Sequence, residues 1–133
     1  MSSLYLDTSV VLRATLESGL EPHLADQIAS ATVLVTSRLS LVESSRALLR
    51  IRHTREVSEE KLSKADAEIA ALWGRTNIWE LTREVCELGR QVAPTKALRT
   101  LDALHLATYL LAKQKVNSLE LFTVDERLRQ AAQ

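Results

Sequence analysis

Four carboxylates carry the chemistry that this sequence offers. Asp7 follows the short, mostly apolar run Ser3 to Leu6 and is succeeded at once by Thr8 and Ser9. Glu43 stands in Leu41-Val42-Glu43-Ser44-Ser45-Arg46, and Asp102 in Leu101-Asp102-Ala103-Leu104-His105-Leu106-Ala107. Asp125 stands in Thr123-Val124-Asp125-Glu126-Arg127-Leu128. Taken singly, each acid has an ordinary explanation. Asp7 and Asp125 suit helix N-caps. Asp102 suits the first turn of a helix, where the dipole rewards a negative charge by about 0.3–1 kcal/mol. Glu43 suits a capping box with Ser40, or a pair with Arg46 worth about 0.2–0.5 kcal/mol. Gathered around one cleft the same groups raise one another's pKa and call for a positive charge among them. Hard oxygen donors without thiols or paired histidines match Mg²⁺, with Mn²⁺ as the alternative, and not Zn²⁺. Such an ion activates water and stabilises charge on a transferring phosphoryl group.

The elements decide whether the acids meet. Tyr5 and its neighbours favour a first strand over Ser3 to Leu6, and Asp7-Thr8-Ser9 places capping residues directly before a helix. Pro22 to Ala31 reads as a second helix with Pro in its first turn. Thr32 to Thr36 is β-branched and forms the second strand. Ser37 opens a helix over about Leu39 to Arg52, and His53 to Val57 make a polar elbow. Ser58 caps the next helix, with Lys61 at N3 where a capping box would need Glu or Gln. That helix carries a Glu60–Lys64 pair and ends near Gly74 as its C′ residue. Asn77 to Leu81 is a third strand, Thr82 to Ala93 a helix stopped by Pro94. Thr100 to about Lys115 is the most hydrophobic helix, apolar nearly all round and therefore expected to be central and buried. Leu119 to Thr123 is the last strand, and Asp125 to Ala132 a closing helix.

Strands alternating with single or paired helices predict an α/β sandwich: a mainly parallel sheet of four to five strands with helices on both faces. In such a sheet all four acids fall at the carboxyl edge, where open α/β sheets bind ligands. Asp102 is the hardest to explain otherwise, since it interrupts a helix that reads as buried.

With 133 residues, 46% of them hydrophobic, the chain suits one domain, residues 1–133, with a real core. Cys86 is the one cysteine, so an internal disulfide is excluded and a reducing cytoplasm is expected. Three Gly and two Pro are too few for an all-β protein of tight turns. No apolar run approaches the roughly 20 residues of a membrane span. A formal net charge of zero argues, at first, against a nucleic-acid partner. The sum conceals segregation: Arg38 to Arg55 holds five arginines and one acid, while Glu56 to Glu68 holds five acids and two lysines. A basic stripe beside acids neutralised by an ion can attract a phosphate backbone to a protein that is neutral overall.

In this order, the four motifs resemble those of PIN-domain ribonucleases, most of all the VapC-type toxins of toxin–antitoxin pairs. The resemblance spans nearly the whole chain and implies a PIN-like three-layer sandwich. It implies Asp7, Glu43, Asp102 and Asp125 as the catalytic acids. Asp7 and Asp102 would be the principal Mg²⁺ ligands, with Glu43 and Asp125 completing the set directly or through water. Thr8 and Thr123 would orient water or a carboxylate. The implied reaction is metal-dependent hydrolysis of RNA phosphodiester bonds by an activated water. The implied partners are an RNA substrate, a cognate VapB-type antitoxin and a second copy of the chain, with no membrane.

Other residues have plainer readings. His105 reads as a packed or hydrogen-bonded histidine, one turn after Asp102, before it reads as part of the site. Cys86 reads as a small buried hydrophobe, and Trp73 and Trp79 as core or dimer contacts before base-stacking platforms. The run Arg46, Arg50, Arg52 and Arg55 has three open readings: phosphate contacts, a solvated face, or a surface for an acidic antitoxin. Two other functions compete. A receiver-like phosphoacceptor needs an Asp closing a central third strand, and Asn77 to Leu81 has none. A non-catalytic interaction module using the same fold is the second.

Overall fold

The computed structural model describes residues 2–17 and 21–133. Among these residues four strands form one parallel sheet in the order β3-β2-β1-β4. They are β1 (Ser3–Leu6), β2 (Val33–Ser37), β3 (Asn77–Trp79) and β4 (Leu119–Phe122). Tyr5 pairs with Val35 on one side and with Leu121 on the other, and Ser37 pairs with Trp79. Helices α1 (Thr8–Leu16) and α2 (Pro22–Ser30) join β1 to β2, and α3 (Arg38–Thr54) and α4 (Glu59–Gly74) join β2 to β3. Helices α5 (Arg83–Gly89) and α6 (Thr100–Lys113) return to β4, and α7 (Glu126–Ala131) follows it.

Alternation along the strands divides the core in two. Leu4, Leu6 and Leu34 point into a cluster with Val10, Val11, Leu24, Ile28, Leu48, Leu62 and Ile69 from α1 to α4. Tyr5 and Val35, one residue out of phase, enter a second cluster with Leu106, Tyr109, Ala112, Leu119 and Leu128. Successive strand residues face opposite sides, so helices must cover both. The result is the expected three-layer sandwich, with four strands.

The connections build outward from β1 through β2 to β3, then cross back to place β4 on the other side of β1. The order therefore reverses between β1 and β4, and the crevice at their carboxyl ends is the natural ligand site. Because α6 leads into the start of β4, its own first turn lies at that carboxyl edge.

Several local expectations change. Helix α6 buries His105 to Tyr109 and Ala112, but Leu101 is 46% exposed and Leu104, Leu110 and Leu111 are half-buried. It belongs to an outer layer, so one side packs on the sheet and another is left toward solvent. Gly74 is the last helical residue of α4 with no left-handed φ, rather than a C′ glycine. Arg55, at φ 58°, supplies the left-handed turn that ends α3. Lys64 pairs with Glu68 instead of Glu60, at 4.0 Å. Helix α5 stops at Gly89, before Pro94; turn hydrogen bonds continue as far as the Val92 N–H, and Ala93, at φ 44°, then turns the chain. Gly89 packs against α6, where a Cβ would lie 3.1 Å from Leu104 Cδ2. Among the described residues no helix is long and apolar enough to cross a membrane.

Candidate active site

Asp7 occupies the N-cap position of α1 with extended backbone (φ −79°, ψ 148°), yet its carboxylate makes no capping hydrogen bond. Its backbone N–H donates to the Phe122 carbonyl at 3.1 Å, extending the β1–β4 ladder by one residue. Its Oδ2 accepts instead from the hydroxyls of Ser9 (2.5 Å) and Thr123 (2.7 Å). Thr123 is itself held in place, because its Oγ1 also accepts from the Asp125 N–H at 3.0 Å. Two charge-assisted bonds on one oxygen fix the carboxylate of a nearly buried acid, 7% exposed. Among the described residues Oδ1 takes no hydrogen bond.

Glu43 projects from the second turn of α3. Its Oε1 accepts from Thr8 Oγ1 at 2.9 Å and lies 2.5 Å from His105 Nε2. Neither a capping box with Ser40 nor a pair with Arg46 forms; α3 begins at Arg38, with Ser37 as its cap. Burial pushes the Glu43 carboxyl up, but the hydrogen bond and charge of His105, with the Thr8 hydroxyl, hold it below the usual range.

Asp102 sits in the first turn of α6, half-buried, and the same edge brings it near other acids. Burial raises its carboxyl above the usual value, and the charges of Asp125 and Asp7 raise it further, against the pull of His105 and Arg127. Asp125 does cap a helix: its Oδ1 accepts from the N–H groups of Arg127 (2.9 Å) and Leu128 (3.4 Å) in α7. Thus Asp7, Asp102 and Asp125 share one electrostatic neighbourhood, while Glu43 is tied to the His105 side of it.

The grouping is looser than a ready-made cage. Among the described residues no three His, Cys, Asp or Glu side chains converge closely enough to hold an ion by themselves. Asp7, Glu43 and Asp125 each commit one oxygen to other donors. The donors at the edge remain hard oxygens.

The PIN-domain sequence profile matches residues 4–133. This chain belongs to the PIN-domain family. Among curated proteins, Ribonuclease VapC35 of Mycobacterium tuberculosis is 35% identical over 98% of this chain and 90% of its own length. Ribonuclease VapC45 of the same organism is 32% identical over 83% of this chain and 76% of its own length. Ribonuclease VapC46 is 29% identical over 99% and 92%. These relatives make the chain a PIN domain of the VapC type. Among solved structures, PAE2754 from Pyrobaculum aerophilum superimposes with a TM-score of 0.69 at 17% identity, covering 98% of this chain and 79% of that one. At that identity the likeness speaks for the fold.

The remaining candidates of this PIN domain fall out as follows. Arg46 and Arg50 are exposed on α3 at helical spacing from Glu43, whereas Arg52 pairs with Glu59 at 2.9 Å. Trp73 and Trp79 are partly buried against the two core clusters, and the Trp73 indole N–H donates to Ser44 Oγ at 3.2 Å. Cys86 is exposed, against the buried role expected of it. On the short helix α5 its neighbour Val85 faces the core, which turns the next position outward. Two further residues join the site. Ser9 has the sequence signature of a capping hydroxyl, and the Asp-x-Ser spacing is the one signal that pairs it with Asp7. Tyr5 has the sequence signature of a strand former; its hydroxyl lies 2.8 Å from His105 Nδ1, a contact across 100 positions that no local pattern signals.

Proposed function

We propose that this PIN domain is a Mg²⁺-dependent endoribonuclease, the toxin of a toxin–antitoxin pair. The observation that carries the reading is Asp7: its carboxylate leaves the helix uncapped and is pinned by Ser9 and Thr123, beside Asp102 and Asp125, at the switch point of the sheet. A structural cap would be spent on the amides of α1. The donor set suits Mg²⁺, which takes one or two carboxylates and keeps several waters, so it needs no protein cage. Asp7 and Asp102 are the principal ligands in this proposal, with Glu43 and Asp125 completing the set directly or through water. When bound, the ion supplies Lewis-acid stabilisation of the phosphoryl oxygens and lowers the pKa of an attacking water.

The chain's own groups set the geometry for that chemistry. Thr123 and Ser9 hold Asp7 in one rotamer, and Thr8 does the same for Glu43. Arg46 and Arg50, on the side of α3 that carries Glu43, supply sequence-independent phosphate attraction. The RNA substrate, a VapB-type antitoxin, a homodimer and a cytoplasmic location belong to the same proposal, and Mn²⁺ is an acceptable substitute ion. Val42 (57% exposed), Leu49 (41%) and Leu101 offer apolar surface for protein contacts.

The test is cleavage of total cellular RNA by purified protein. Cleavage should require Mg²⁺ or Mn²⁺, stop with chelator, and be abolished by Asp7→Asn and by Asp102→Asn. Undiminished cleavage by either variant would overturn the assignment of the site. Failure of the folded, antitoxin-free protein to cut any RNA would favour a non-catalytic interaction module.

A further inference from the structure

A buried polar chain runs behind the acidic edge and joins three elements: Tyr5 of β1, His105 of α6 and Glu43 of α3. Tyr5 is fully buried and His105 is 1% exposed. The His105 ring is fixed at both nitrogens, with Nδ1 2.8 Å from the Tyr5 hydroxyl and Nε2 2.5 Å from Glu43 Oε1. It is also fixed by packing, because its plane stands at 80° to the Tyr5 ring with centroids 6.1 Å apart. Tyr109 holds the other side of Tyr5, at 5.9 Å and 69°.

An apolar side chain could fill this volume without burying polar atoms, and a buried polar group is costly wherever its partners are incomplete. Here the chain is complete and ends on a half-buried acid. The Tyr5 hydroxyl can donate to an unprotonated Nδ1 or accept from a protonated one. An ionised Glu43 can only accept. The proton on Nε2 therefore points to Glu43 whether or not Nδ1 also carries one. Thr8 donates to the same oxygen. Two donors on Oε1 stop a flexible side chain from rotating and leave Oε2 as the oxygen without a hydrogen bond among the described residues.

We propose that His105 is a positioning residue: anchored by Tyr5, it donates to Glu43 Oε1 and so presents Oε2 to the cation or its waters. This inference rests on the nuclease reading above, and deepens it by giving the third acid its support. Loss of such an outer partner typically lowers metal affinity or activity by about 10–100-fold.

Gln and Asn separate the two ends of the ring. A Gln side-chain amide reaches the place of Nε2 and can serve Glu43; an Asn amide reaches only the place of Nδ1 and can serve Tyr5. The experiment measures Mn²⁺ binding by electron paramagnetic resonance, RNA cleavage, and unfolding in chelator for H105L, H105N and H105Q. H105L and H105N should each weaken Mn²⁺ binding by about 10–100-fold, and H105Q should recover most of it. Tyr5→Phe, which keeps the volume and removes the anchor, should fall between wild type and H105N. In the wild-type protein, ¹⁵N spectra of the imidazole should show Nε2 protonated.

Equal binding by H105N and H105Q, a folded H105L that binds Mn²⁺ like wild type, or a ring protonated only at Nδ1 would overturn the proposal. Should H105L not fold, the order of H105Q and H105N decides. Asp7→Asn separates the two levels: if it leaves Mn²⁺ binding and cleavage intact, the site reading fails. If it abolishes both while the His105 variants behave as wild type, only the positioning role falls.

Discussion

Replacing Thr123 with valine keeps the side chain's shape and removes one oxygen. That oxygen is 2.7 Å from Asp7 Oδ2, accepts from the Asp125 N–H at 3.0 Å, and lies 3.3 Å from Ser9 Oγ. The residue is only 2% exposed, so water does not easily take its place beside Asp7. A hydrogen bond to a charged acceptor contributes about 1.5–3 kcal/mol. Ser9 remains on the same carboxylate oxygen at 2.5 Å, which selects the lower half of that range. The Asp125 amide is half-buried and can turn to solvent, adding well under about 1 kcal/mol. The expected loss is about 2 kcal/mol, from a total of roughly 5–15 for a domain of this kind. Near the melting temperature it corresponds to about 6–10 °C. Urea unfolding followed by circular dichroism in chelator measures it, with Thr123→Ser expected to recover most of the loss. Combined with Asp7→Ala, Thr123→Val should show a coupling of about 1 kcal/mol or more. A loss below about 0.5 kcal/mol, or no coupling, would refute the claim that this hydroxyl holds Asp7.

Glu43 and Asp102 should give opposite pH signatures in metal-free protein. Burial opposes ionisation of Glu43, but His105 and Thr8 lower it below 4.5 on balance, so its stabilisation is present above the unfolded value and lost as pH falls through the folded one. Wild type should therefore lose stability relative to Glu43→Gln on acidification from about pH 7 to about pH 3; parallel curves would contradict the pairing. Asp102 is raised above 3.8 by burial and by Asp125 and Asp7, so its contribution is favourable below the unfolded value and is lost as pH rises through the folded one. Asp102→Asn should then be the more stable protein at neutral pH in chelator, by under about 1 kcal/mol because solvent screens the site. Saturating Mg²⁺ should reverse that order, since an ion at about 100 times its Kd adds about 2.7 kcal/mol to wild type alone. Gly74→Ala meets no atom within 4 Å and no left-handed φ, so it should raise stability by about 0.4–1 kcal/mol in thermal melts. A decrease would restore the C′ reading.

The strand and helix positions were largely legible because they follow short-range rules. Ser3–Leu6 is the first strand, and Ser58 caps its helix through the Lys61 N–H, both as the sequence predicts. The differences lie where the chain turns or packs at long range. Pro94 can stop a helix, but α5 ends at Gly89 and Ala93, at φ 44°, turns the chain before Pro94. The apolar positions of α6 suggested burial all round, yet its place in an outer layer leaves Leu101 in solvent.

The site divides in the same way. Residue type and order were enough to single out Asp7, Glu43, Asp102 and Asp125 as acids bound for one sheet edge, because parallel crossovers leave few alternatives. They could not say which acid merely caps, which is pinned and which is propped. Asp125 gives an oxygen to the amides of α7, Asp7 declines its own helix for Ser9 and Thr123, and Glu43 leans on a histidine 62 positions away. Those assignments depend on where side chains from remote elements come to lie, and local sequence encodes propensity and periodicity but not that distance. The sequence alone determined the kinds of acid and the edge they share; only the folded chain decided which oxygens are held and, among the described residues, which take no hydrogen bond.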